Sequence, residues 1–268
     1  MKVGLVIAAA GWALGATAAY AQEEIVIGGA GSIVPVMQEL SKAFLAKNAG
    51  ERIRVIPESV GSTGGIKATA AGKFSIGLTG RPLKPEEQAT LVYRELGAMP
   101  VVFAVNGSVP VTSLSQAQVC DIYGGKVSAW KEVGGTDRKI IPLTRNEDDS
   151  DKETVRKVVD CYSALKESGS VIVLTKGSEM SAALGARQGT IGLTTYANAG
   201  KSGGRYKALA LDGVAPSPAT VQSGQYKLVK AFAVVTRGAP AGSVKKFMDF
   251  TASAEGAEIL ARAGLVTK

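Results

Sequence analysis

A chain of 268 residues that is 46% hydrophobic and 20% charged is long enough for one large domain or two lobes, and too apolar to be disordered. It has no His and only two Cys, which excludes a Ser-His-Asp relay, a histidine general base, a histidine-ligated metal and a four-thiolate zinc site. The formal charge of +8 favours anionic partners through the long-range field, but no dense basic run interleaved with aromatics is present, so nucleic acid is not an expected partner.

Lys2 is followed by an uncharged stretch, 3–20, with small residues at Ala19 and Ala21. A positive start, an apolar middle and an Ala-Tyr-Ala site predict a secretory signal peptide over residues 1–21, cleaved after Ala21. An uncleaved membrane anchor fits the length of the run but not the small-residue site. The mature chain is then expected in a bacterial periplasm, as a soluble monomer. In an oxidising compartment Cys120 and Cys161 are either disulfide-bonded or two buried free thiols, and their spacing does not fit a Cys-x-x-Cys redox motif.

Residues 25–29 read as a short buried strand, and residues 34–47 as an amphipathic helix with Met37, Leu40, Phe44 and Leu45 near helical spacing. A strand follows at 52–57, a short helix at 64–71, a strand at 74–79, a helix at 84–91 and a longer apolar strand at 99–105. Past Asn106 and Gly107 come a helix at 114–123, a short helix at 128–133 containing Trp130, a strand at 139–143 and a long helix at 151–163. The pattern ends with a helix at 178–187, a strand at 190–195, a loop at 200–204, a strand at 228–236 and closing helices within 241–263. Strands alternating with helices predict an α/β fold with a mostly parallel sheet covered on both faces. In such a fold ligands sit beyond the carboxyl ends of the strands, and two lobes with a cleft between them are the simplest arrangement.

Three loops at those strand ends carry ligand-binding chemistry. The first runs Gly28-Gly29-Ala30-Gly31-Ser32-Ile33-Val34-Pro35, and the second Glu58-Ser59-Val60-Gly61-Ser62-Thr63-Gly64-Gly65-Ile66. Glycines let backbone N–H groups approach a ligand, and the following helix aims its unsatisfied donors and positive dipole end at the same spot, so an anion fits there. The alternative is that Ser32, Ser62 and Thr63 only cap helices. The third loop, 144–151, offers Arg145 as a fork for an oxyanion, but places Glu147, Asp148, Asp149 and Asp151 around it. Ser150 and Glu153 have capping-box spacing, which would satisfy that helix start from within.

At these loops the sequence resembles the periplasmic phosphate-binding protein family, a branch of the two-lobed solute receptors of ATP-driven (ABC) importers. The shared elements are Gly-Ala-Gly-Ser at 29–32, Gly-Ser-Thr-Gly-Gly at 61–65, Gly-Arg-Pro-Leu at 80–83, Val-Cys-Asp-Ile-Tyr-Gly-Gly-Lys at 119–126 with Trp130 following, and Gly-Thr-Ile-Gly-Leu at 189–193. The resemblance implies a two-lobed periplasmic binding protein fold with a hinge of crossing strands, closing over an oxyanion held by hydroxyls, backbone N–H groups and one Arg. Lobe one would contain residues 22–102 and 200–268, and lobe two 103–199. The resemblance places Ser32, Ile33, Ser62, Thr63 and Arg145 at the ligand, Gly31, Gly64, Arg81 and Ser150 of the same stretches complete the expected ligand-binding set, and the implied membrane partner is an ABC permease.

The sequence departs from that pattern at two places. Gly80 stands where the family often carries an Asp or Ser able to accept a proton from phosphate, and Asp148-Asp149-Ser150-Asp151 replaces a Gly-Ser-Gly-Thr-like anion nest. An ionised carboxylate within about 4 Å of a bound oxyanion opposes it by roughly 4 kcal/mol at an effective dielectric near 20. Either the acids point away, with Lys84 or Arg81 as possible counter-charges, or the ligand is not free phosphate. The leading reading is an exported, non-catalytic receptor for phosphate or a related oxyanion. The alternative is a periplasmic sensor or adaptor of the same fold that takes a different small solute. An enzyme is not expected, because Ser62 has no His to activate it and no Ser-x-x-Lys occurs at that loop. No cofactor or metal is expected either: Asn146, Asp148 and Ser150 have calcium-loop spacing without the downstream glycine and bidentate acid.

Overall fold

The computed structural model describes residues 24–267, so the signal peptide predicted over 1–21 lies outside the described residues. The chain begins with β1 (Ile25–Gly29), α1 (Val34–Lys47), β2 (Ile53–Val55), α2 (Gly61–Ala70) and β3 (Ile76–Thr79). A 3-10 turn at Pro85–Glu87 leads into β4 (Leu91–Asn106), followed by β5 (Ser113–Leu114), α3 (Gln116–Tyr123), a 3-10 turn at Trp130–Val133, β6 (Ile141–Arg145) and α4 (Ser150–Val158). After a third 3-10 turn at Asp160–Tyr162 come β7 (Ile172–Leu174), α5 (Gly177–Ala186), β8 (Thr190–Thr195), α6 (Tyr196–Gly200), β9 (Tyr206–Ala208) and β10 (Ala210–Leu211). The last elements are α7 (Pro218–Gln222), β11 (Val229–Arg237), α8 (Gly242–Thr251) and α9 (Ala254–Arg262).

The fold is α/β, but the sheet is mixed rather than mostly parallel. Its strand order is β2-β1-β3-β11-β4-β8-β6-β7, with β9 also on β4. Each end is parallel, β1 with β2 and β3, and β6 with β7 and β8. The centre is antiparallel, because β11 runs along β4 from Leu91↔Arg237 to Pro100↔Val229. These two long strands join two separate cores. One contains Ile25, Ile27, Met37, Leu40, Phe44, Phe232 and Phe247, and the other Phe103, Tyr123, Trp130, Tyr162, Leu184 and Leu193. Along β4 the division falls between Met99 and Val101. Tyr206, Leu209, Tyr226 and Leu228, from a stretch the sequence groups with lobe one, are buried in the second core.

Packing and polar closure hold each core. The rings of Phe44 and Phe247 meet edge to face at 5.3 Å, and those of Tyr123 and Tyr162 at 5.4 Å. A fully buried side chain of this size contributes about 1.5 to 3 kcal/mol. Burial of Trp130 and Tyr123 is made tolerable because Trp130 Nε1–H donates to the Gly189 carbonyl at 3.0 Å and Tyr123 O–H to that of Leu143 at 2.9 Å. Cys120 and Cys161 are disulfide-bonded, with Cα atoms 6.2 Å apart.

Two elements differ from the periodic reading for local reasons. The helix expected at 84–91 is one 3-10 turn, because the Glu87 side chain folds back on the Lys84 N–H at 2.8 Å and on Arg81, and Leu91 already pairs with Arg237. The long helix expected at 151–163 stops at Val158. Val159 turns to an extended conformation (φ −96°, ψ 99°), a 3-10 turn follows at Asp160–Tyr162, and the Arg156 guanidinium holds the segment beyond the helix by the carbonyls of Tyr162 and Leu165, at 2.9 and 3.3 Å.

Candidate functional site

The first two glycine-rich loops lie side by side at the carboxyl ends of β1 and β2. Their glycines serve close packing as much as ligand approach. Gly29 has φ +143°, where a Cβ would stand 2.3 Å from the Leu78 carbonyl oxygen, and a Cβ on Gly65 would be 2.8 Å from the Gly29 Cα. Only glycine lets α2 lie this close to the sheet. Ser59, absent from the sequence-derived set, staples the loops. Its Oγ accepts the N–H groups of Gly31 and Gly61 at 3.0 and 3.2 Å and donates to the Gly29 carbonyl at 3.3 Å.

Neither N-cap residue, Ile33 of α1 nor Val60 of α2, caps its helix with a side chain, and at α2 it is Ser59 that takes the Gly61 N–H, so the capping alternative for Ser32, Ser62 and Thr63 is not what the structure has. Instead Ser62 Oγ accepts the Gly80 N–H at 3.0 Å, and Ser32 Oγ accepts from the Lys230 ammonium at 3.1 Å. A hydroxyl that accepts keeps its own hydrogen to donate. The amides of Gly31 and Ile33 are engaged within the protein, the latter on the Ala30 carbonyl at 3.0 Å, and the Ile33 side chain belongs to the first core. Gly64 lies beside Val60, where a Cβ would be 2.9 Å from the valine Cβ.

The Arg81 guanidinium is taken up by Glu87. Its two terminal nitrogens fork onto Glu87 at 2.8 and 2.9 Å, and one also reaches Thr63 Oγ1 at 3.4 Å. The hydrogen bond from Arg81 holds the Glu87 carboxyl far below its usual range, at about 2. Arg81 also faces Glu153 of α4, whose carboxyl is pushed up by burial against the pull of Arg81 and Lys84.

Arg145 ends β6 and is nine-tenths buried. Nη2 donates to Asp149 Oδ2 at 2.8 Å, whereas Nε and Nη1 are buried and make no hydrogen bond. The expected Ser150–Glu153 capping box is not formed. Asp149 is the N-cap of α4, its Oδ1 accepting the Asp151 N–H at 3.0 Å, and Ser150 is the first helical residue. Glu147 points the other way, onto Arg156 at 2.6 Å and the buried Lys152 at 2.9 Å.

The residue that closes the site is Lys230 of β11. Its ammonium lies 2.5 Å from Asp151 Oδ1, 3.1 Å from Ser32 Oγ and 3.2 Å from Ser150 Oγ, with the side chain only 2% exposed. The counter-charge that meets Asp151 is therefore Lys230, not Lys84 or Arg81. Burial drives the Asp149 carboxyl upward, but the Arg145 hydrogen bond and charge, with Lys230 behind them, hold it below its ordinary value. Burial wins at Asp151, which is raised despite Lys230, with the Asp149 charge adding to the rise. A lysine in the otherwise apolar run 228–235 was the signal in the sequence for this residue.

Ser32, Ser62, Gly80, Arg145, Ser150 and Lys230 thus gather where the loops after β1, β2, β3 and β6 meet, which brings hydroxyls, a guanidinium and an ammonium together at the junction of the two cores. An open cavity of about 450 Å³ lies elsewhere, between α6, β9 and α9, bordered by the exposed Lys201 and Arg262.

Comparison with known proteins places this geometry in a family. Residues 15–255 match the model of a PBP superfamily domain. The phosphate-binding protein PstS of Borreliella burgdorferi is 25% identical over 267 residues, covering 91% of this chain and 90% of its own length. PstS of Bacillus subtilis is 24% identical over 237 residues, covering 87% and 76%. A crystal structure of a putative phosphate ABC transporter substrate-binding protein from Clostridium perfringens, with bound phosphate, superposes with a TM-score of 0.83 at 27% identity, covering 92% of this chain and 100% of its own. An ABC-type phosphate transport receptor from Vibrio cholerae shares the fold with a TM-score of 0.70 at 24% identity, covering 91% and 100%. A buried Arg at a strand end, two glycine-rich loops that lead into helices and a sheet crossed by two long strands are thus the local features of a chain that belongs to the PBP superfamily, in its periplasmic phosphate-binding protein family.

Proposed function

We propose that the protein is an exported, non-catalytic receptor that binds phosphate or a related tetrahedral oxyanion in this cleft and delivers it to a membrane ABC permease. The observation that carries this reading is Arg145, whose Nε and Nη1 are buried without a partner while Nη2 is fixed by Asp149. Unbonded buried donors of this kind cost about 1 to 3 kcal/mol, more when charged, and Nε and Nη1, one on each side of Nη2, leave both bidentate edges of the guanidinium with a free donor for an oxyanion. The hydroxyls of Ser32, Ser62 and Ser150 supply donors for the remaining oxygens, and the N-terminal ends of α1 and α2 add their dipoles. The acidic third loop, which motivated a sensor taking another solute, is neutralised from within by Arg145, Lys230, Lys152 and Arg156.

In this reading the lobes follow the two cores, 24–99 with 230–267 and 101–228, and β4 and β11 form the hinge. The protein works as a periplasmic monomer, its leader removed. The test is calorimetric titration of the purified protein with inorganic phosphate and with sulfate. Saturable binding of phosphate at one site, with thermal stabilisation of about 2.7 kcal/mol at a hundredfold excess over Kd, is expected. No heat and no stabilisation by either anion at millimolar concentration refutes the reading.

A further inference from the structure

Lys230 is a buried cation that neither the family pattern nor the sequence reading assigns to the ligand. Its ammonium has three N–H donors and meets three acceptors: Asp151 Oδ1, Ser32 Oγ and Ser150 Oγ. Ser32 precedes α1, which packs on the first core, whereas Ser150 and Asp151 open α4, whose Val155 packs in the second. One ammonium therefore ties the two halves of the cleft together. The lysine stem also fills space beside Gly80, where a Cβ would stand 3.5 Å from Lys230 Cδ and 2.8 Å from Ser150 Oγ.

The acids of the third loop do not share this cation equally. Glu147 is held by Arg156 and Lys152, and Asp149 by Arg145 and the Asp151 N–H. Asp151 is the carboxylate that lies directly on Lys230. We propose that Lys230 is a ligand-binding residue of the cleft and that Asp151 is its internal counter-anion, displaced from the ammonium when an oxyanion enters. The proposal rests on the oxyanion-receptor reading above. Any anion that takes the protons of the Ser32 and Ser150 hydroxyls comes within reach of the ammonium bonded to those same oxygens. A carboxylate and an oxyanion crowded on one buried ammonium repel each other, so one must yield. The ion pair closes the cleft before the ligand arrives, and binding becomes an exchange of one anion for another.

The test is calorimetric titration of inorganic phosphate into wild type, D151N and K230M, alongside the distance between spin labels at positions 42 and 157, exposed sites on opposite sides of the cleft. D151N is expected to bind phosphate about ten-fold tighter or better, and K230M about ten-fold weaker or worse. An affinity for D151N equal to or below wild type, or an unchanged affinity for K230M, overturns the proposal. Binding by D151N where wild type shows none supports it. Should K230M fold poorly, the K230M/D151N double variant is compared with D151N and is expected to bind phosphate about ten-fold more weakly, having lost only the ammonium. Should D151N fold poorly, the double variant is compared with K230M and is expected to bind more tightly, having lost only the competing anion. Equal binding in either comparison overturns the proposal. If none of the chains binds phosphate or sulfate, the receptor reading falls. The distances then judge the ion pair by themselves: a longer or broader distance in D151N than in wild type without added anion supports the internal counter-anion, and identical distances overturn it.

Discussion

Replacing Arg145 by Lys separates the guanidinium fork from its charge. A lysine at the end of β6 retains a cation beside Asp149, so the pair now formed at 2.8 Å is kept in kind. What is lost is the planar guanidinium, with its two donors, Nε and Nη1, on either side of Nη2, that make no hydrogen bond within the protein. An ammonium recovers one of the two contacts with a tetrahedral oxyanion, leaving a net loss of one charge-assisted hydrogen bond, about 1.5 to 3 kcal/mol. In calorimetric titration with phosphate this is about a ten- to 150-fold rise in Kd. Stability should move little or slightly upward, since two unsatisfied buried donors disappear. Arg145→Ala is a poorer probe, because it strands Asp149 in the interior at a cost of about 3 to 5 kcal/mol. A Kd for Arg145→Lys equal to that of the wild type would remove the fork from the site and with it the argument for oxyanion binding.

Three further outcomes are expected. Gly80→Ala sets a Cβ 2.8 Å from Ser150 Oγ and 3.1 Å from its Cβ, and should destabilise the closed cleft by about 1 to 3 kcal/mol. Adding Ser150→Gly should restore most of the loss in thermal unfolding, and an absence of rescue would refute this contact. Reducing the Cys120–Cys161 bond, which closes a loop with a sequence separation of 41, should cost about 4 kcal/mol, read as a lower melting temperature in reductant. The Glu87 carboxyl, held at about 2 against an ordinary 4.5, stabilises the fold above pH 4.5, and that contribution is lost as pH falls through this window. Glu87→Gln should therefore flatten acid unfolding in that range by about 1 to 2 kcal/mol, the partial exposure of the pair limiting the size, and a superimposable pH profile would refute it.

Much of the fold was legible from local pattern. The apolar spacing of Met37, Leu40 and Phe44 set α1 at its observed limits, Val34–Lys47, and the runs at 25–29 and 190–195 are strands with the expected ends. The start of β4 was not, because Tyr93, Arg94 and Glu95 carry no alternation that a short window detects. Their extension comes from pairing with β11, whose residues lie more than a hundred positions later. At the site, the loops holding Ser32, Ser62 and Arg145 were recognisable from their composition, but the partners of Arg81 and Ser150 were not.

The chain's own sequence decided that strands alternate with helices, where the hydroxyl-rich loops fall and that no histidine chemistry is open to it, since these depend on residue type and near-neighbour spacing. Which charges meet was decided only in three dimensions. Lys230 reaches Asp151 across 79 positions and Ser32 across 198, because β11 returns through the middle of the sheet and delivers one ammonium to the point where separate loops converge. Coulomb's law acts on distance in space, and for these groups nothing short of the folded backbone determines that distance.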